Sequence, residues 1–214
     1  MILYHGSFEM VEEPRLGYGK LNNDYGQGFY CTEDIELARE WACRDINGGL
    51  VNKYELDVNG LRVLDLRNIG ILPWIAILMA NRIVRYSSPV EKRAAEYLIS
   101  NYLPETDGYD VIIGYRADDS YFSYTRAFLS NTITVEQLEM AVQLGNLGTQ
   151  ICIKSQKGFE NISFIEANTV SGEVYYPRRI QRDNKAKDDY YRLLEESAYD
   201  GTYVRDIIER GKKS

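Results

Sequence analysis

Residues 22–42 read NNDYGQGFYCTEDIELAREWA, and the organisation of the chain unfolds outward from them. Gly26 and Gly28 flank Gln27 in a tight turn that only unbranched backbone takes easily. Phe29–Cys31 is a short strand. Thr32 or Asp34 then caps a helix running to about Ala42, with Ile35, Ala38 and Trp41 or Ala42 on one face. Tyr30 faces one side of the strand, and the helix brings Trp41 to the same region. Two aromatics facing each other make a slot for a flat ring, with stacking worth about 0.5–1.5 kcal/mol beyond burial. The same residues also read as a glycine turn followed by ordinary core aromatics.

Upstream, Met1–Tyr4 is a short apolar strand that ends in His5-Gly6-Ser7. That tripeptide sets an imidazole, an unhindered backbone amide and a hydroxyl side by side, a set able to hold a carboxamide and a sugar hydroxyl. A histidine near a terminus is also consistent with a plain surface residue. From Gly6 to Gly28 the chain is rich in Gly, Asn, Asp and Pro and reads as a long loop, which in a compact domain is functional or disordered.

Downstream, Asn52–Asp65 reads as strands around a turn at Asn59-Gly60. Pro73–Tyr86 is a strongly apolar helix, and a second follows after Pro89, from about Val90 to Tyr102. Tyr109–Gly114 is a buried strand and Ser120–Leu129 a helix. Thr134 and Gln137 have capping-box spacing for a helix to Leu144, ended by Gly145 and Gly148. Gln150–Lys154 and Ile162–Ala167 are strands, and Lys187–Glu209 holds two short helices broken at Asp200-Gly201. No repeat or linker interrupts the chain, so residues 1–214 read as one domain.

Composition excludes several classes. The 214 residues are 44% hydrophobic and 27% charged, enough to bury a sizeable core and unlike disordered or collagen-like chains. The formal charge of −7 disfavours general nucleic-acid binding, which needs a positive surface. Three cysteines (Cys31, Cys43, Cys152) without a CxxC pair fit a reducing cytoplasm, and a single histidine leaves no zinc site. No signal peptide is expected, and Ile69–Ala80 is too short to cross a membrane.

LYHGS at residues 3–7, followed at that distance by GQGFYCT and a helix, resembles the ADP-ribosyltransferase superfamily, most closely its diphtheria-toxin and poly(ADP-ribose) polymerase branch. The whole chain further resembles a bacterial family known as domain of unknown function 3990, through those segments and YDVIIGYRADDSYF, LGNLGTQICIKSQKGF and DGTYVRDIIERG, spanning Ile2–Gly211. The resemblance implies NAD bound as substrate in a folded-over shape. His5 would bond the ribose joined to adenine, Gly6 the nicotinamide amide through its backbone, and Ser7 would add a hydroxyl near the cofactor. Tyr30 would stack on nicotinamide, with Trp41 as the second aromatic. Ala38 stands where the polymerases place a serine, a contact alanine cannot make.

The superfamily usually carries a catalytic glutamate at the start of a later strand, and here Gln150 holds that place. Glutamine accepts the same ribose hydrogen bond but carries no charge. Either it suffices alone or an acid from elsewhere completes the site. Asp118 and Asp119 are the candidate acids, with helix capping as their other reading. Arg116 would pair with the NAD pyrophosphate or with one of these aspartates.

The fold expected is therefore α+β: an ADP-ribosyltransferase-like split antiparallel core of about six strands around an NAD cleft, with helices inserted between Pro73 and Leu103 and appended at the C-terminus. The activity implied is NAD-dependent mono-ADP-ribosylation of a macromolecular acceptor, protein or nucleic acid. Relatives of this kind act as toxins, so the resemblance also implies a small antitoxin partner. An NAD glycohydrolase and a non-catalytic NAD- or ADP-ribose-binding module remain as alternatives.

Overall fold

The computed structural model describes residues 1–117, 119–144, 148–196 and 200–212. Two sheets stack face to face. Strands β1 (Ile2–Ser7), β3 (Gly49–Leu56) and β7 (Ile162–Val170) form an antiparallel sheet in the order β1-β3-β7. Strands β2 (Phe29–Cys31), β6 (Thr149–Ile153), β5 (Val111–Tyr115) and β4 (Val63–Asp65) form the second, in the order β2-β6-β5-β4. Seven strands stand among the described residues in place of the six expected, and β4 runs parallel to β5, so the core is not wholly antiparallel. Asn59-Gly60 does make a turn, with Gly60 at φ +73°, but β3 and β4 leave it into different sheets and form no hairpin.

Side chains alternate across these strands, as pleating requires. Val111, Ile113, Ile151 and Ile153 point between the sheets, where they meet Leu3, Cys31, Tyr54 and Leu56. Ile112 and Cys152, one residue out of step, face the helical layer instead. That layer is built on α2 (Ile71–Asn81), which is apolar all round and therefore buried all round. Trp74, Ile75, Ile77 and Leu78 are each at most 1% exposed, and burying each contributes about 1.5–3 kcal/mol. Helices α3 (Pro89–Tyr102), α4 (Asp119–Leu129) and α5 (Val135–Leu144) cover it. The capping box of α5 forms: the Thr134 amide donates to Gln137 Oε1 at 2.7 Å and the Gln137 amide to Thr134 Oγ1 at 3.2 Å.

Helix α1 (Ile35–Ala42) lies on the outer face of the first sheet, with Ala38 and Ala42 against Val51 and Val170. Asp34 is its N-cap, its carboxylate accepting from the amides of Glu36 and Leu37 at 2.9 and 3.3 Å. After the short α6 (Gln156–Glu160) and β7 comes α7 (Gly172–Glu196), which begins fifteen residues before the first C-terminal helix expected from the sequence. Pro177 lies inside it, and Arg182 holds buried Glu40 of α1 through two bonds of 2.7 and 2.9 Å. Helix α8 (Val204–Gly211) follows.

Among the described residues one backbone bridge joins the two sheets. Tyr4 and Thr32 exchange backbone bonds of 2.7 and 2.9 Å, after which β1 and β2 part. Beyond the parting, antiparallel register leaves Gly6 across from Tyr30 with a cleft between them.

Candidate functional site

Tyr4 spends its backbone groups on Thr32, so alternation sends those of Leu3, His5 and Ser7 to β3 and turns those of Gly6 toward β2. Gly6 thus presents an N–H and a C=O along the cleft. Its missing side chain has a second reason: a Cβ there would collide with the Ala38 carbonyl of α1. Ala38 itself is fully buried under β1.

The cleft is a cavity of about 980 Å³, at the upper end of ligand-sized sites. His5, Gly6, Tyr30, Trp41, Arg116 and Gln150 all line it, although 145 residues separate the first from the last. Residues of the loop between β1 and β2, including Glu9–Arg15, Tyr18–Lys20, Asn23 and Asp24, make one wall, and this loop has no helix or strand of its own. Gln27 ties it together, donating to the carbonyls of Gly17 and Gly19 at 2.7 and 2.9 Å.

His5 Nδ1 lies 2.7 Å from the Tyr30 carbonyl. A carbonyl only accepts, so Nδ1 carries the proton and Nε2 keeps its lone pair in the neutral ring. Burial holds the His5 pKa below the ordinary value of 6.5, reinforced by the nearby Arg44 and opposed by the bond to Tyr30. The site therefore contains a neutral imidazole able to accept from a hydroxyl. Phe29 fixes the ring from the side, with centroids 4.5 Å apart.

Tyr30 stacks on Tyr25 at 6.4 Å and donates its hydroxyl to the Gly26 carbonyl at 2.6 Å. Trp41 instead meets Arg116, whose guanidinium lies 5.2 Å from the ring centre. The Trp41 indole N–H is buried with no hydrogen-bond partner among the described residues. Both aromatics line the cavity, each with its own neighbour.

Ser7 does not line the cavity. Its hydroxyl donates to the Glu9 carbonyl at 2.6 Å and accepts from Asn52 Nδ2 at 2.8 Å. Asn52, wholly buried on β3, also receives the Val11 amide at 2.9 Å, so this pair pins the start of the loop. Nothing in the strand pattern of β3 marked Asn52, one of three polar residues there with Lys53 and Glu55.

The acid that meets Gln150 is Asp24. Gln150 Nε2 donates to Asp24 Oδ2 at 2.7 Å, the Ala117 amide donates to the same oxygen at 3.1 Å, and Arg82 Nη1 pairs with Oδ1 at 3.0 Å. Burial pushes the Asp24 pKa up, opposed by Arg82, Gln150, the Ala117 amide and Arg116. Sequence reasoning passed over Asp24 because aspartate in a loop rich in Asn and Gly reads as turn chemistry. Asp118, and the side chain of Asp119, lie outside the described residues; by its backbone Asp119 opens α4.

The cavity also gathers cations in an acidic chain. Arg15, Lys20, Arg44, Arg116 and Arg179 line it with Glu9, Glu12, Glu13 and Asp24. Arg15 stands 3.7 Å from Glu13 on the exposed rim, and Arg44 lies over the Phe8 ring.

A mixed α/β protein with two facing sheets, and a polar cleft where they part, is thereby defined. Residues 1–164 match the family model described as "Protein of unknown function (DUF3990)", and the chain belongs to that family. The match ends within β7, before the two C-terminal helices. No curated protein and no solved structure matches the chain. Among the described residues no helix is long and apolar enough to cross a membrane.

Proposed function

We propose that the protein is an NAD-dependent ADP-ribosyltransferase that modifies a macromolecule. The observation that carries this reading is the His5–Tyr30 bond across the parted strands. It leaves imidazole Nε2 as an acceptor that a ribose hydroxyl could use, and Gly6 and Tyr30 both line the cleft, where a carboxamide and its ring would meet them. Arg44, Arg116 and Arg179 offer positive charge for a pyrophosphate. Gln150 stands in the same cavity with an amide oxygen for the reacting ribose. The proposal extends to a cytoplasmic toxin with a small neutralising protein, on the resemblance of its motifs to that superfamily.

The second reading, a module that binds NAD or ADP-ribose without turnover, is favoured by the uncharged Gln150 and by Ala38. Incubation with NAD labelled in the adenylate, together with a cell lysate, separates them. A transferase releases nicotinamide and labels a macromolecule, and nuclease or protease sensitivity of the label identifies its class. A glycohydrolase releases nicotinamide and labels nothing, and a binding module does neither.

A further inference from the structure

Gln150 and Asp24 are 126 residues apart in sequence and bonded in the cavity wall. The Gln150 amide is oriented by what surrounds it. A carboxylate accepts only, so the amide nitrogen faces Asp24. Oε1 is the atom left over, and among the described residues nothing donates to it. Asp24 turns Oδ1 to Arg82 and Oδ2 to Gln150, so the ion pair presents its negative end to the amide.

We propose that Asp24 and Gln150 together form one divided carboxylate, Gln150 touching the reacting ribose through Oε1 and Asp24 behind it supplying the negative charge. Gln150 is the catalytic residue and Asp24 the positioning and polarising one. The inference rests on the ADP-ribosyl transfer reading. In that reaction the bond between ribose C1′ and the nicotinamide nitrogen breaks. Its electron pair leaves with nicotinamide, which becomes neutral, and the ribose becomes an oxocarbenium cation. The acceptor's lone pair then bonds C1′ and its proton passes to water. A negative charge fixed near the ribose stabilises the cation most where water is excluded.

The pairing also accounts for glutamine at position 150. A glutamate there would lie against Asp24, and two carboxylates that close do not both ionise. One ionised acid with one amide keeps a single charge, relayed by a donor that needs no proton of its own.

The test uses the full-length protein, NAD titration for binding, nicotinamide release for turnover, and a melting curve for each variant. Asp24→Asn keeps an acceptor for Gln150 and Ala117 but removes the charge. It should lower kcat roughly 10²-fold with NAD affinity little changed. Asp24→Asn combined with Gln150→Glu moves the charge onto position 150 and should recover at least about tenfold of that loss. A merely structural Asp24 gives no such rescue, because a carboxylate moved to position 150 cannot rebuild the pair with Arg82. Wild-type kcat in Asp24→Asn, or a folded double variant no better than the single one, overturns the divided carboxylate while ADP-ribosyl transfer stands. If Asp24→Asn fails to fold, a folded double variant decides alone: turnover within tenfold of wild type supports the pair, and none overturns it. Wild-type protein that neither binds nor consumes NAD overturns the functional reading and this inference with it.

Discussion

The hydroxyl of Tyr25 occupies the space that a side chain on Gly114 would need. Gly114 is paired directly with Gln150 across β5 and β6, so the absence of one side chain admits another from the loop. Tyr25 is fully buried there, donates to the Tyr115 carbonyl and accepts from Trp74 Nε1 at 3.2 Å. Asp24, its neighbour in sequence, is carried into place with it.

Gly114→Ala should therefore act at a distance from its own strand. A methyl group at 114 expels the Tyr25 hydroxyl and drags Asp24 off Gln150. We expect destabilisation of about 1–3 kcal/mol from the orphaned polar groups, with turnover lost beyond that. Tyr25→Phe leaves the backbone in place and should cost stability by a similar amount while retaining more activity. Chemical denaturation and nicotinamide release measured side by side check this, and a Gly114→Ala protein of wild-type stability would show that the glycine is incidental.

The aromatic lining should set affinity. Tyr30→Ala removes a ring from the cavity and the hydroxyl that reaches Gly26 and the Tyr25 amide. It should weaken NAD binding by on the order of 1 kcal/mol or more. Trp41→Ala should act similarly and also release Arg116 from its aromatic platform. Calorimetric titration giving wild-type affinity in both variants removes the ring slot from the proposal.

His5 is the single histidine, so one imidazole resonance reports on it alone. Its titration midpoint should lie below 6.5, because burial disfavours the cation. The sign for stability follows. A lowered folded-state pKa gives stabilisation that is present above 6.5 and is lost as pH falls through the folded value. NAD should raise no new proton on the ring, since Nε2 must stay an acceptor. A midpoint at or above 6.5 contradicts the assigned tautomer and its role.

Much of this architecture was legible in the sequence for physical reasons. The α1 cap, the capping box of α5 and the apolar α2 are local signals carried by a few neighbouring residues. The partition of strands between two sheets was not legible, because β3 and β4 look like a hairpin to any local rule and only their distant partners β7 and β5 separate them. Among the site residues, His5, Gly6, Tyr30, Trp41, Arg116 and Gln150 come to one cavity. Asp24, Arg82 and Asn52 were missed because their roles lie in long-range hydrogen bonds. The first C-terminal helix was expected from Lys187, whereas α7 begins at Gly172 and is held by its contacts with α1.

The cysteines should be chemically quiet. Cys31, Cys43 and Cys152 are buried and unpaired, and burial pushes the Cys152 thiol up to about 12. Thiolate is the reactive form, so the native protein should react with a thiol reagent only at its unfolding rate. Cys31→Ser and Cys152→Ala should retain activity, and reductant should change nothing. Rapid labelling of the native protein, blocked by NAD, is the contrary result.

Acid should remove activity before it removes the fold. Asp24 titrates above the ordinary 3.8 of aspartate, because its burial outweighs Arg82, the Gln150 amide, the Ala117 amide and Arg116. Tyr25 and Cys152, which also face it, are both pushed upward and stay neutral across the acid range. Protonation of Asp24 erases the charge behind Gln150, so kcat should fall as pH drops through that raised value. Stability moves the other way at this residue. A carboxylate with a raised folded pKa costs stability when ionised, and that cost disappears as the proton binds. His5 becomes cationic in the same direction of pH, but in the proposed reading it would meet the remote ribose, so its protonation should raise KM and leave kcat alone. A pH profile of kcat with NAD held saturating should thus show one acid limb, which Asp24→Asn flattens at a low plateau. An unchanged limb in Asp24→Asn assigns the proton to another group and separates Asp24 from the chemistry.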